Sequence, residues 1–235
     1  SMIINLNLEN KKIIVIGGGS EAEKRIKSLL NEKCEITIIS DSINEAMSKL
    51  VKAKQVKLKK QKIENIKFIS ELKPSLIITT TDDKKINQKI INYAKKKKII
   101  AYSSDNPEDS DFSNAAIIDF EKMIQIAIFT GGQSPVMSKK IKSKAENVLK
   151  KVISKEDIIQ IKIQKISRKL AKEIIPTQLE RKECLKSIMN DNHIDQLIKD
   201  GQIKKAEKRA IAVSYTHLRA HETDSYLVCR LLLEK

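Results

Sequence analysis

The chain has 235 residues, of which 40% are hydrophobic and 32% charged, and a formal net charge of +16. Such a length holds one large domain or two modest ones with a real core, and the apolar content excludes a disordered chain. No apolar run reaches the roughly 18–20 residues that span a bilayer, and the start lacks the layout of a secretory leader, so a cytoplasmic location is expected.

Ser1 before Met2 reads as a tag residue. Residues 3–8 alternate in polarity, as a half-exposed strand does. Lys12-Ile13-Ile14-Val15-Ile16 is a continuous apolar run that ends in Gly17-Gly18-Gly19 and passes at once into a helix pattern over 20–32. A buried strand turning through glycines into a helix offers free backbone N–H groups and the positive end of a helix dipole, which suits a phosphate. Gly17, Gly19 and Ala22 fit the spacing G-x-G-x-x-G/A of a dinucleotide turn, with Gly18, Ser20 and Glu21 inside it. Such a turn also suits a plain strand–helix corner.

A second strand at 36–39 ends at Ser40-Asp41. Asp41 lies 24 residues after Gly17, where a carboxylate accepts hydrogen bonds from an adenosine ribose; equally, it suits the cap of a helix starting near Ile43. Residues 55–59 form a short strand broken by lysines, and Ser75–Thr81 a stronger one that runs into Asp82-Asp83. A helix over 84–97 and a strand at 99–102 follow. This alternation predicts an α/β doubly wound parallel sheet, with ligands at the carboxyl ends of its strands. Those ends carry Gly17–Gly19, Ser40-Asp41, Thr80–Asp83 and Ser103–Asp105.

Asn106–Asp111 is polar and turn-rich, a domain exit. Residues 115–120 and 123–129 read as a strand pair around Glu121-Lys122, and the second strand ends in Thr130-Gly131-Gly132-Gln133-Ser134-Pro135. Ser134 suits an N-cap and Pro135 the first helical position; the helix then carries Met137, Ile141, Ala145, Val148, Leu149 and Val152 on one face. This is a second glycine turn at a helix N-terminus. From 154 to 213 only helices are expected, with a break at Pro176 and a cap at Gly201.

Cys34, Cys184 and Cys229 are too far apart for a zinc or disulfide framework. Residues 214–235 exchange isoleucine and lysine for leucine and arginine, and read as a non-native tail; His217 and His221 there, spaced i, i+4, are not taken as a metal site. Lysine is spread through nearly every segment and aromatics are scarce, so the charge alone does not signal nucleic acid; a polyanionic small molecule suits a basic cleft as well.

The order of these pieces is specific: Gly17-Gly18-Gly19-x-x-Ala22, Thr80-Thr81-Asp82-Asp83 with Asn87, Ser104-Asp105-Asn106-Pro107, Ala116–Asp119, and Ile126–Phe129 followed by Thr130-Gly131-Gly132-Gln133-Ser134-Pro135-Val136. It resembles the precorrin-2 dehydrogenase / sirohydrochlorin ferrochelatase family of siroheme synthesis, over roughly 2–210. The resemblance implies an NAD-binding Rossmann-like domain over 1–112, a dimerisation segment of strand pair plus helix over 113–152, and a helical domain over 153–213. It also implies the stand-alone form, because 235 residues leave no room for a fused methyltransferase. The activity implied is NAD-dependent oxidation of precorrin-2 to sirohydrochlorin, with ferrous or cobaltous ion as a chelatase substrate in some members.

By that resemblance Gly17, Gly18, Gly19, Ser20, Glu21, Ala22, Ser40, Asp41, Thr80, Thr81 and Asp82 hold NAD. Asp105 is the catalytic carboxylate and the group nearest any inserted metal; on the residues alone it suits an Asx-turn as well. Thr130, Gly131, Gly132 and Ser134 receive a polycarboxylate tetrapyrrole, Thr130 standing where some relatives carry serine. Asp119-Phe120-Glu121-Lys122 replaces the family's Asp-Arg-Ser-Pro turn, so no arginine contact carries over. A homodimer is implied, without nucleic acid or membrane. Two other readings use fewer of these residues. A non-catalytic NAD(H)-sensing module needs neither Asp105 nor the Thr130 block, and a nucleic-acid-binding helical domain needs a continuous lysine stripe over 154–213.

Overall fold

A computed structural model describes residues 2–217 and divides them between two compact units that part at Asn114 and Ala115. In the first unit the strands are β1 (Lys12–Ile16), β2 (Glu35–Ser40), β3 (Lys57–Lys60), β4 (Leu76–Thr79) and β5 (Ile100–Ser103). Its helices are α1 (Ser20–Leu29), α2 (Glu45–Lys52), α3 (Lys67–Leu72) and α4 (Lys84–Lys97), with a 3-10 turn over Pro107–Asp109. All neighbouring strands are parallel, in the order β3-β2-β1-β4-β5. The strand order reverses between β1 and β4, the place where open α/β sheets bind ligands.

Parallel strands covered on both faces are apolar along their buried length, and β1 is so from Ile13 to Ile16. Ile13 and Val15 join Ile26 and Leu29 of α1 and Met47 of α2 on one face. Ile14 and Ile16 join Phe68 and Ile69 of α3 and Ile90, Ile91 and Ala94 of α4 on the other. Residues 3–7 differ from the expectation. They form no strand, and Ile3 and Ile4 are exposed. Only Leu8, at the end of that segment, packs on the core.

The second unit opens with an antiparallel hairpin of β6 (Ala116–Phe120) and β7 (Ile124–Ile128). Asp119 Oδ1 accepts the backbone N–H of Lys122 at 2.6 Å and Oδ2 accepts Gln125 Nε2 at 2.9 Å, which stabilises a turn where Glu121 and Lys122 hold positive φ. The helix α5 (Pro135–Val152) is capped by Ser134, with Pro135 in its first turn. Met137, Ile141, Val148 and Val152, on the apolar face of α5, stay exposed within the chain. Then come α6 (Lys155–Ile174), which begins with a Ser154/Asp157 capping box, α7 (Gln178–Met189) and α8 (Asn192–Lys199). Residues 203–217 are helical. Ile163, Ala171, Cys184, Ile188, Ile194 and Ala206 form the core of this bundle. Ser214 is buried there, and His217 Nε2 lies 3.0 Å from Ser187 Oγ. His221, Cys229 and most of the tail expected to be non-native lie outside the described residues.

Candidate functional site

The carboxyl ends of β1, β2 and β4 surround a hollow of about 720 Å³. Gly17, Gly18, Gly19, Ser20 and Glu21 line it from the first turn, Ser40 and Asp41 from the second, and Thr80, Thr81 and Asp82 from the third. Ala22 does not reach it: the side chain is fully buried and packs in the core beneath α1.

The three glycines do different jobs. Gly17 has φ +120°, and a Cβ there would lie 2.5 Å from Thr80 Oγ1, whose hydroxyl donates to the Ile16 carbonyl at 2.9 Å. A Cβ on Gly18 would collide with the Ser42 carbonyl oxygen, which already accepts Ser40 Oγ at 2.6 Å. Gly19 has ordinary extended backbone and a Cβ there would meet nothing within 4 Å. Nothing in the chain requires glycine at 19. A ligand that approaches the backbone closely does, and Gly19 lines the hollow as the N-cap of α1 with no side-chain cap.

Charge restricts where an anion fits. Asp41, Asp82, Asp83 and Glu21 all line the hollow, leaving the glycine turn as its anion-compatible wall. Burial works against ionisation of Glu21, but Lys24 and Arg25 hold its carboxyl below the usual range, Arg25 at 2.6 Å and Lys24 at 3.2 Å. Asp83 is spoken for as the cap of α4, accepting the N–H groups of Lys85 and Ile86 at 2.9 and 3.1 Å. Asp41 is exposed and caps nothing. The cap of α2 is Asn44, whose Oδ1 accepts Met47 N at 2.9 Å and whose Nδ2 donates to Glu23 at 2.7 Å.

Asp105 follows β5 and does not line this hollow, but a hydrogen-bonded chain ties it there. Asn87, buried on α4, donates from Nδ2 to Asp105 Oδ1 at 3.0 Å and to the Thr81 carbonyl at 2.8 Å, and accepts Thr81 Oγ1 at 2.7 Å. Ser103 Oγ donates to the same Asp105 oxygen at 2.5 Å and lies 2.8 Å from Thr79 Oγ1. Oδ2 of Asp105 takes no hydrogen bond among the described residues, so one oxygen is fixed and the other exposed. Asn87, Ser103 and Thr79 were not among the expected site residues. Asn87, four positions after Asp83 on the first turn of α4, and Ser103, at a strand end, had left a trace in the sequence; Thr79 had not.

In the second unit Gly131 and Gly132 both hold positive φ, as a tight turn into α5 requires. Thr130 Oγ1 lies 2.9 Å from Ser138 Oγ and donates to the Ser134 carbonyl at 3.1 Å; Ser134 Oγ accepts Met137 N at 3.2 Å. The hydroxyls of Thr130 and Ser134 thus brace the turn, and the exposed backbone of Gly131 and Gly132 is its accessible part. Among the described residues no group of three His, Cys, Asp or Glu side chains is arranged to hold a metal, and no helix is long and apolar enough to cross a membrane.

Residues 4–116 match the family model described as "Putative NAD(P)-binding". The "Putative precorrin-2 dehydrogenase" of Methanocaldococcus jannaschii is 29% identical over 202 residues, 83% of this chain and 93% of that protein. The "Precorrin-2 dehydrogenase" of Bacillus subtilis is 26% identical over 147 residues, 62% of this chain and 85% of that one. The "Siroheme synthase" of Mannheimia succiniciproducens is 25% identical over 207 residues, 86% of this chain. The chain spans about 40% of the length of that synthase and of two others like it. A solved structure, "SirC, precorrin-2 dehydrogenase", shares the fold with a TM-score of 0.65 at 21% identity, covering 89% of this chain and all of its own.

Proposed function

We propose that the chain belongs to the precorrin-2 dehydrogenase and siroheme synthase family and that it oxidises precorrin-2 to sirohydrochlorin with NAD. The observation that carries the cofactor half is Gly19, a glycine that the chain's own packing does not need, at the uncapped N-terminus of α1. In this reading the backbone from Gly17 to Glu21 holds the pyrophosphate, Asp41 and Ser40 the adenosine ribose, and Thr80, Thr81 and Asp82 the nicotinamide end. The exposed carboxylate at Asp41 repels a 2′-phosphate, which favours NAD over NADP. The cofactor, when bound, supplies the hydride acceptor.

The remaining proton is taken by Asp105. Asn87 and Ser103 hold Oδ1, and the uncommitted Oδ2 is the basic atom. Gly131 and Gly132 present exposed backbone at the start of α5, in a turn braced by Thr130 and Ser134, a suitable host for a substrate carboxylate. The chain works as a homodimer built on the segment over 113–152, and the exposed Met137, Ile141, Val148 and Val152 of α5 support this.

Purified protein with NAD and fresh precorrin-2 should form sirohydrochlorin, followed by its absorbance. Asp105→Asn should lower the turnover rate by about a hundredfold or more, within the range for a lost general base, while NADH still binds. A wild-type protein that binds NADH and leaves precorrin-2 unchanged would replace this reading by the NAD(H)-sensing one.

A further inference from the structure

The helical bundle carries a second concavity, a groove of about 730 Å³ between α6 and α7. Lys165, Arg168 and Lys172 line it from α6, and Arg181 and Lys182 from α7; among the described residues no carboxylate lines it. Some lysines of this chain find acidic partners one helical turn away, as Lys27 does with Glu23, Lys49 with Glu45 and Lys150 with Glu146. No Asp or Glu stands three or four positions from any of the groove cations. Lys165, Arg168, Lys172 and Lys182 have no ion-pair partner among the described residues. Like charges at this spacing disfavour the bare helices slightly, and an anion would reverse the sign.

The groove is also shaped. Arg181 donates from Nε to the Ile175 carbonyl at 2.6 Å and from a terminal nitrogen to the Pro176 carbonyl at 2.5 Å, fixing the α6–α7 corner. Gln164 Nε2 donates to the Leu185 carbonyl at 3.0 Å and ties the helices together beside the apolar side chains of Ile161 and Leu185. A duplex backbone asks for a long stripe of cations. Here the cations surround a compact hollow with an apolar floor, the complement of a flat apolar ring with acids around its rim.

We propose that the α6–α7 groove is a second binding site for a tetrapyrrole polycarboxylate, where the macrocycle is held before or after reaction. The choice of macrocycle rests on the dehydrogenase reading, whereas the groove's preference for a compact polyanion does not. The probe is uroporphyrin I, a stable fluorescent macrocycle with eight carboxylates, titrated into the full chain. Two classes of site are expected in the wild type. The double variant Arg168→Glu/Lys172→Glu should lose one class, its affinity falling about tenfold or more, while NAD-dependent oxidation at saturating precorrin-2 is unchanged. The milder Arg168→Ala/Lys172→Ala should weaken the same class with an unaltered thermal melt. Equal stoichiometry and affinity in all three proteins would overturn the proposal. So would an oligothymidylate that binds more tightly than the porphyrin and displaces it, since the groove would then serve nucleic acid. If the wild type fails to oxidise precorrin-2 but its porphyrin titration still responds to the charge reversals, the dehydrogenase reading falls and the groove stands.

Discussion

Replacing Gly19 by alanine adds one methyl group at the N-cap of α1, in a place where no atom of the described residues other than its chain neighbours lies within 4 Å. Its φ of −90° and ψ of −168° are open to alanine. Alanine caps a helix less well than glycine, by about 0.5–1 kcal/mol, while the unfolded chain loses about 0.4–1 kcal/mol of conformational freedom. These offset, so the melting temperature should move by less than about 4 °C. The methyl group instead holds a phosphate away from the backbone N–H groups. Losing one charge-assisted hydrogen bond at about 1.5–3 kcal/mol should weaken NADH binding about ten- to a hundredfold. Gly18→Ala is the contrasting variant, because its Cβ meets a backbone carbonyl that cannot swing aside. Overpacking of about 1–3 kcal/mol should lower its melting temperature by about 5 °C or more. Circular dichroism melts and NADH fluorescence titrations separate the two effects. A Gly19→Ala protein that binds NADH as the wild type does would refute the assignment of the turn as a pyrophosphate cradle.

Asp41→Ser should narrow the preference for NAD over NADP by about tenfold, the effect of removing one carboxylate near a phosphate dianion. A wild type that takes both cofactors equally would remove the basis for this. Burial opposes ionisation of Asp191, but Arg209 and the N–H groups of Ile194 and His193 hold its carboxyl below the usual range. Its folded pKa is thus lower than the unfolded one, so the stabilisation is present above the unfolded value and is lost as pH falls through the folded one. Asp191→Ala should cost about 1–2 kcal/mol at pH 7 by urea unfolding, from the lost cap and ion pair. The gap to wild type should shrink below about pH 4, and a gap independent of pH would mean that the charge is not its source.

Strands buried on both faces are legible in a sequence because isoleucine, leucine and valine dominate them, and β1, β2 and β4 were found for that reason. The stretch over 3–8 has the right alternation for a strand yet joins no sheet, and pairing is a property of the whole sheet. The helix α3 went unread because its six residues carry no side-chain cap and too few turns to show a period. At the hollow, the glycine turn and Asp41 could be placed by spacing along the chain. The support beneath Asp105 could not, because Asn87 lies 18 positions away on another element and meets it only once α4 packs beside β5. The cations of the α6–α7 groove were visible only as scattered charge, since two helices must fold together before they share one concavity.

The division of labour among Gly17, Gly18 and Gly19 bears on how such a motif ages. A descendant of this chain that ceased to bind nucleotide would still need Gly17 for its backbone angle and Gly18 for the clearance of Ser42. Both would survive in a protein with no cofactor. Gly19 would be the first of the three released from constraint, so its identity reports on a living site where the other two report only on a fold.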